Sequence, residues 1–229
     1  MKERIKDFYK VEFHCHTVYS KDCLLPPEKL VQACRKKKID RVVVTDHNTI
    51  EGALRAKEID PELVIIGEEI KTEKGELLAA YMTTEIPPGL SPIETIARLR
   101  DQGAFISVSH PFDRMRSGHW QIDDLFDIIH LVDAIETFNA RSMFPGANQQ
   151  AREFAAEHDL LRTAGSDAHT AYELGKASMI MPPFQDAENL RKALRTALFE
   201  VSQSSMLIHF SSRYAVWRKK WAARKSGDG

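Results

Sequence analysis

Six short stretches of this sequence end in side chains able to hold a divalent cation. FHCHT supplies His14 and His16, VVVTDHN supplies Asp46 and His47, and IIGEEI supplies Glu68 and Glu69. SVSHPFDR adds His110, ETFNAR adds Asn139 and Arg141, and TAGSDAH adds Asp167 and His169. In an extended chain, residues two apart point the same way. His14 and His16 can therefore grip one ion while Cys15 faces away, and Asp167 and His169 repeat the pattern across Ala168. Imidazole mixed with carboxylate suits Zn²⁺, Mn²⁺ or Fe, whereas Mg²⁺ alone prefers oxygen. The donors exceed what one ion needs, which implies two or three. Arg114, Arg116 and Arg141 lie at or just beyond the ends of SVSHPFDR and ETFNAR, after the fifth and sixth expected strands. A guanidinium there could bind phosphate oxygens bidentately, or close a loop salt bridge, for instance with Asp113. Asn139 could orient a metal-bound group or fix its loop.

Each donor set follows a β-branched or apolar run. Strands are expected at 11–14, 41–45, 63–67, 77–82, 104–109, 133–138, 161–165 and 177–181. Helices are expected near 26–38, 50–57, 92–102, 122–130, 147–158 and 187–198, with prolines at 26, 27 and 92 marking two starts. Alternation of this kind means parallel strands joined by crossover helices. Lys74-Gly75 is the exception, a tight turn that predicts a local hairpin. In a closed or nearly closed parallel barrel all C-terminal strand ends share one face, so six strand ends would deliver their donors to one place.

The 229 residues, 43% of them hydrophobic, suit one α/β barrel-like domain, expected over 1–205, with a distinct C-terminal segment at 206–229. A net charge of -1 gives no overall attraction for nucleic acid. No apolar run approaches a membrane span and the opening MKERIKDFYK lacks a signal-like apolar core, so no membrane role and a cytoplasmic setting are expected. Cys15, Cys23 and Cys34 form neither a disulfide framework nor a zinc-type pair.

From FHCHTVYSKD through TDHN, GEEI and SHPFDR to GSDAH, residues 11–182 resemble the PHP (polymerase and histidinol phosphatase) superfamily. The resemblance implies a distorted seven-stranded (β/α)7 TIM-like barrel, a trinuclear metal site and phosphoesterase chemistry. It would give one metal His14, His16, Glu69 and Asp167, and a second the shared Glu69 with His110. A third would take Asp22, His47 and His169, and catalysis would centre on His47, His110 and Glu69. The G-x-E pattern selects Glu69 over Glu68. Asp22 could alternatively cap the helix after Pro26, and Asp46 is read as supporting the loop rather than ligating. Many relatives carry histidine where this chain has Glu76 in KTEKGELLAAY. Ligation by Glu76 is the favoured reading, a weaker or vacant second site the other.

The function expected is hydrolysis of a phosphate monoester of a small metabolite or nucleotide. The rivals are a 3′–5′ exonuclease or nucleotide phosphodiesterase, and a metal-stabilised binding module without turnover. An amidohydrolase barrel shares the initial HxH, but the TDH and GEEI placements fit it poorly. His119, His130, His158 and His209 read as structural or solvated. Leu207, Phe210, Tyr214, Trp217 and Trp221 recur at three- and four-residue steps as an apolar helical stripe. Arg213, Arg218, Lys219, Lys220, Arg224 and Lys225 lie on the other face. A closing helix docked on the barrel is expected, ahead of a nucleic-acid or membrane-surface helix.

Overall fold

Mostly apolar runs such as RVVV and FISV become strands buried on both faces, as expected where helices cover a largely parallel sheet. The computed structural model describes residues 7–144, 146–205 and 208–226. Its elements run β1 (Tyr9–Cys15), α1 (Pro27–Lys36), β2 (Arg41–Val44), α2 (Glu51–Ile59), β3 (Val64–Lys71), β4 (Glu76–Ala80), α3 (Pro92–Asp101) and β5 (Phe105–Val108). Then come α4 (Ile122–Ile128), β6 (Ala134–Asn139), α5 (Ala147–Glu157), β7 (Leu161–Gly165), β8 (Ala177–Met181), α6 (Ala187–Leu194), β9 (Leu198–Val201) and α7 (His209–Ser226). Helix starts follow local chemistry: Ser91 accepts the Glu94 N–H ahead of Pro92, and Asp186 accepts the Asn189 N–H.

The nine strands lie in the order β7-β6-β5-β4-β3-β2-β1-β8-β9, a nearly closed, barrel-like sheet. Beyond the regular strands, Cys15 bridges to Ala168, and His16 N donates to Ala168 O at 2.8 Å, so β1 and the chain leaving β7 meet. One apolar cluster takes a side chain from each of the first seven strands: Phe13, Val43, Ile65, Ala80, Phe105, Ala134 and Ala164. Leu190 and Leu194 of α6 join it, plugging the end where the parallel strands begin. The opposite end is left to polar side chains.

The hairpin at Lys74-Gly75 is present, and it inverts β4, which runs antiparallel to both β3 and β5. This inversion brings the first residue of β4, Glu76, opposite Lys71 and beside Ser109, at the rim where its parallel neighbours end. Two expectations change. The sheet has nine strands rather than seven or eight, and the helix expected over 187–198 stops at Leu194. Leu198–Val201 instead forms β9, adding to the outer edge of β8, itself antiparallel to β1. Among the described residues, no helix is long and apolar enough to cross a membrane.

Candidate metal centre

Hydrogen bonds from behind fix which nitrogen His14 and His16 offer. Glu136 receives His14 Nδ1 at 3.0 Å, so His14 carries its proton there and turns the Nε2 lone pair inward. Ser20 Oγ donates to Asp46 Oδ1 at 2.6 Å, leaving its lone pairs to accept from His16 Nδ1 at 3.1 Å and His47 N at 3.0 Å. His16 Nε2 is thus also an acceptor, 3.1 Å from His14 Nε2 and 3.1 Å from Asp167 Oδ1. Glu69 Oε2 lies 3.3 Å from His14 Nε2, 3.4 Å from His16 Nε2 and 3.1 Å from His47 Nδ1. Lone pairs that converge in this way repel unless a cation lies among them.

Two neighbouring groups extend the cluster. Glu69 Oε1 accepts from Ser109 Oγ at 2.8 Å and lies 3.0 Å from His110 Nε2, and Glu76 Oε2 lies 3.5 Å from the same nitrogen. Asp22 Oδ2 lies 3.2 Å from His169 Nε2 and 3.6 Å from His47 Nε2. Three donor sets are each compact enough for one ion: His14, His16 and Glu69; Glu69, Glu76 and His110; and His16, His47 and His169. Glu69 belongs to two of them. Glu69 Oε2, His169 Nε2 and Asp22 Oδ1 are buried without a hydrogen bond, which metal ligation would relieve. The residues present therefore fit divalent ions.

The charge of the pocket agrees. Burial opposes ionisation of Glu69 and Asp167, yet surrounding imidazoles, and Arg116 beside Asp167, hold both well below the usual carboxylate range. Burial likewise opposes charge on His14 and His47, but Glu69 and its fellow carboxylates raise both well above the ordinary imidazole value. His16 goes the other way, to about 3, driven by burial and then by His169 and His47. A pocket that attracts protons this strongly attracts metal cations for the same reason.

All nine expected ligands, His14, His16, Asp22, His47, Glu69, Glu76, His110, Asp167 and His169, meet at this rim. The arginines part company. Arg116 enters the cluster, with Nη1 2.6 Å from Asp167 Oδ2 and Nε 3.3 Å from Asp113. Arg114 stays exposed outside, its guanidinium 5.8 Å from the Phe144 ring centre. Arg141 is buried, its Nε 3.2 Å from Glu173, with further bonds to His169 Nδ1 and to Ser212 Oγ on α7 at 2.9 Å. It braces His169 and the C-terminal helix rather than presenting a free fork to phosphate. Asn139 fixes its loop, with Nδ2 reaching Glu136 at 3.1 Å and Asp167 at 3.3 Å. Asp46 supports the loop through Thr17 and Ser20. Sequence reasoning missed Glu136, Ser20, Ser109 and Glu173. A carboxylate inside the buried run AIETFN was the available signal for Glu136; the serines offered none.

The helix α7 also differs from expectation. Phe210, Tyr214, Trp217 and Trp221 are exposed, and Leu207 lies outside the described residues. Contact with the barrel is made by the opposite face: Ala215 is buried, Ser212 meets Arg141, and Lys219 Nζ donates to the Ser20 carbonyl at 2.6 Å and to that of Val18.

Comparison with known proteins gives the class. The PHP domain profile matches residues 12–158, and the PHP-associated profile matches 145–197. The chain belongs to the PHP family. It is 36% identical over 171 residues to an uncharacterized protein of Methanocaldococcus jannaschii, covering 73% of this chain and 68% of that one. A protein from Bifidobacterium adolescentis, proposed to be a metal-dependent phosphoesterase, shares the fold at 20% identity and TM-score 0.61 over 81% of this chain and 95% of its own. So does the lesion-specific endonuclease PfuEndoQ of Pyrococcus furiosus, at 13% identity and TM-score 0.57 over 84% of this chain and 57% of its own. Helix α7 lies beyond both matched profiles.

Proposed function

We propose that this protein is a metal-dependent phosphoesterase that hydrolyses the phosphate monoester of a small metabolite or nucleotide, using three divalent ions of the Zn²⁺, Mn²⁺ or Fe class. The first ion is assigned to His14, His16, Glu69 and Asp167, the second to Glu69, Glu76 and His110, and the third to Asp22, His47 and His169. The supporting observation is the convergence of lone pairs around Glu69, whose two oxygens face four imidazoles. Ions held by these residues would supply Lewis acidity, lowering the pKa of water so that hydroxide is available near neutral pH and offsetting charge on the phosphoryl oxygens and the leaving alkoxide.

Charge supports the monoester. Glu69, Asp167, Asp22 and Glu76 bring four negative charges; three divalent ions bring six. With neutral imidazoles the centre would keep a surplus of about two positive charges while its water is neutral, the state a monoester dianion would meet on entering, and about one once hydroxide forms. His47, Asp22 and Glu76, 17%, 21% and 12% exposed at their side chains, are the ligands that reach solvent, so substrate enters between them. Arg116, already aimed at Asp167, would orient the phosphoryl group beside that entrance. The three buried free cysteines suit a reducing, cytoplasmic setting.

Elemental analysis followed by a phosphoester panel, with Mn²⁺, Zn²⁺ and Fe²⁺ reconstitution, tests the proposal. Multiple metal equivalents and chelator-sensitive monoester hydrolysis are expected. Full activity in metal-free protein, or a metal-loaded protein that cleaves no phosphoester, would overturn it.

A further inference from the structure

The exposed face of α7 carries an ordered row of rings. Phe210, Tyr214, Trp217 and Trp221 are 65%, 54%, 59% and 51% exposed, a large aromatic surface to leave in water. Tyr214 and Trp217 have ring centres 5.9 Å apart, and Trp217 and Trp221 are 6.4 Å apart with planes within 16°. The rings thus form a row of nearly parallel faces along one side of the helix, each open to a stacking partner. At 100° per residue, Arg213, Lys220 and Arg224 flank one side of this row, and Arg218 and Lys225 the other. Lys225 Nζ lies 4.0 Å from the centre of the Trp221 ring. The helix carries no acidic residue, and none of Arg213, Arg218, Lys220 and Arg224 pairs with a carboxylate among the described residues.

We propose that this face of α7 binds single-stranded nucleic acid, with bases stacking on Tyr214, Trp217 and Trp221 and phosphates pairing with the flanking cations. Single strands are held in this way, by rings that accept any base and by cations that follow the backbone. A second copy of the chain fits poorly, because a symmetric contact would set like cations against one another. A membrane surface fits less well too, because no exposed Leu, Ile, Val or Met of α7 widens the narrow aromatic row into an apolar face, and cations flank it closely on both sides. The opposite face of the helix touches Arg141 and the Ser20 carbonyl, beside ligands His169 and Asp22, so a bound strand would pass near the metal centre. The binding itself does not depend on turnover there.

The full-length protein would be titrated with oligothymidylate and oligoadenylate in chelator, so that hydrolysis plays no part. Trp120 is buried, so quenching of tryptophan fluorescence reports Trp217 and Trp221. Saturable quenching is expected, with a log–log salt slope of about -3 for four neutralised phosphates. By anisotropy of a labelled strand, Trp217→Ala and Trp221→Ala should each weaken binding about tenfold or more, while the double Trp→Phe variant keeps it. Because these side chains are more than half exposed, melting temperature should not change, which separates lost binding from lost fold. No saturable binding at low salt, or affinity indifferent to the tryptophan variants, overturns the proposal. So does tryptophan-dependent binding to phosphatidylserine vesicles without binding to oligonucleotide, or tryptophan-dependent dimerisation without it. Failure of the phosphoesterase assay would leave this result untouched.

Discussion

Replacing Ser20 with alanine removes one oxygen that ties three parts of the site together. Its hydroxyl donates to Asp46 and accepts from His16 Nδ1 and His47 N, all within 3.1 Å, and the serine is fully buried. The variant would leave the imidazole N–H and the backbone N–H without acceptors, at about 1–3 kcal/mol for each group. A net destabilisation of about 2–4 kcal/mol would lower the melting temperature of the metal-free protein by roughly 5–15 °C. The tautomer of His16 would no longer be fixed, so its Nε2 lone pair would not be held toward Glu69 and Asp167. Loss of such a supporting bond weakens metal affinity about 10–100-fold. Chelator-competition titration measures this directly, and melting of the metal-free protein measures the structural part. Metal affinity within twofold of the parent would refute the claim that Ser20 sets the His16 tautomer, whatever happens to stability.

Glu69→Gln should lose two of the bound ions together, because the cations would face each other with less compensating charge; loss of a single equivalent would contradict its shared position. Glu68→Gln should leave metal stoichiometry unchanged, since Glu68 faces away and accepts from Ile86 N at 3.1 Å. Glu76→Ala should selectively weaken one ion while Glu76→His retains it and shifts preference toward Zn²⁺; unchanged affinity in the alanine variant would make Glu76 a bystander. In metal-free protein, His14 and His47 have raised pKa values, so their contribution is complete below the usual imidazole range and lost as pH rises through the folded values. Glu69 and Asp167 have lowered values, so theirs is present above the usual carboxylate range and lost as pH falls through the folded values. The melting temperature should therefore decline on both the alkaline and the acid side, and a flat profile would refute this. Arg141→Met should destabilise the fold by about 3–5 kcal/mol, leaving Glu173 buried without its cation; an unchanged denaturation midpoint would show that the pair is dispensable.

The residues that gather at the rim were legible because strand ends concentrate donors in short, fixed spacings: His14 with His16, Asp167 with His169. Glu76 was reached through the family's motif position alone, and the structure supplies the reason: the hairpin at Lys74-Gly75 brings the start of β4 to the rim. The arginines were not separable. Arg114, Arg116 and Arg141 share a type and a strand-end position, but only tertiary geometry shows Glu173 claiming Arg141 while Asp167 meets Arg116. The C-terminal stripe misled for a related reason. An amphipathic pattern shows that a helix has two faces, yet α7 turns its short Ser212, Ala215 and Lys219 face inward, where carbonyls and Arg141 satisfy it. Strand β9 escaped notice because its four residues, LFEV, are largely exposed on the sheet edge and follow α6 after only three residues, so the helical pattern runs into them.

The rim that gathers five imidazoles and several carboxylates is also where the sheet is least regular. Asn48 and Asp167 adopt positive φ angles of 55° and 51°, directly after His47 and within the Asp167–His169 pair. Asparagine and aspartate are the non-glycine residues that tolerate this region best, so the chain can leave its strands and turn donors inward at modest conformational cost. The bends are then secured by main-chain bonds across strand ends: Asn48 N to Glu69 O at 2.9 Å, Glu69 N to Asp46 O at 3.1 Å, and His16 N to Ala168 O. Burying so many ionisable carboxylates and imidazoles away from water acts against folding at this end. The ring of seven apolar side chains capped by α6 at the other end acts for it. Separating the two along the barrel axis lets the rim keep an arrangement that is unfavourable until cations arrive, without loosening the framework that aims it.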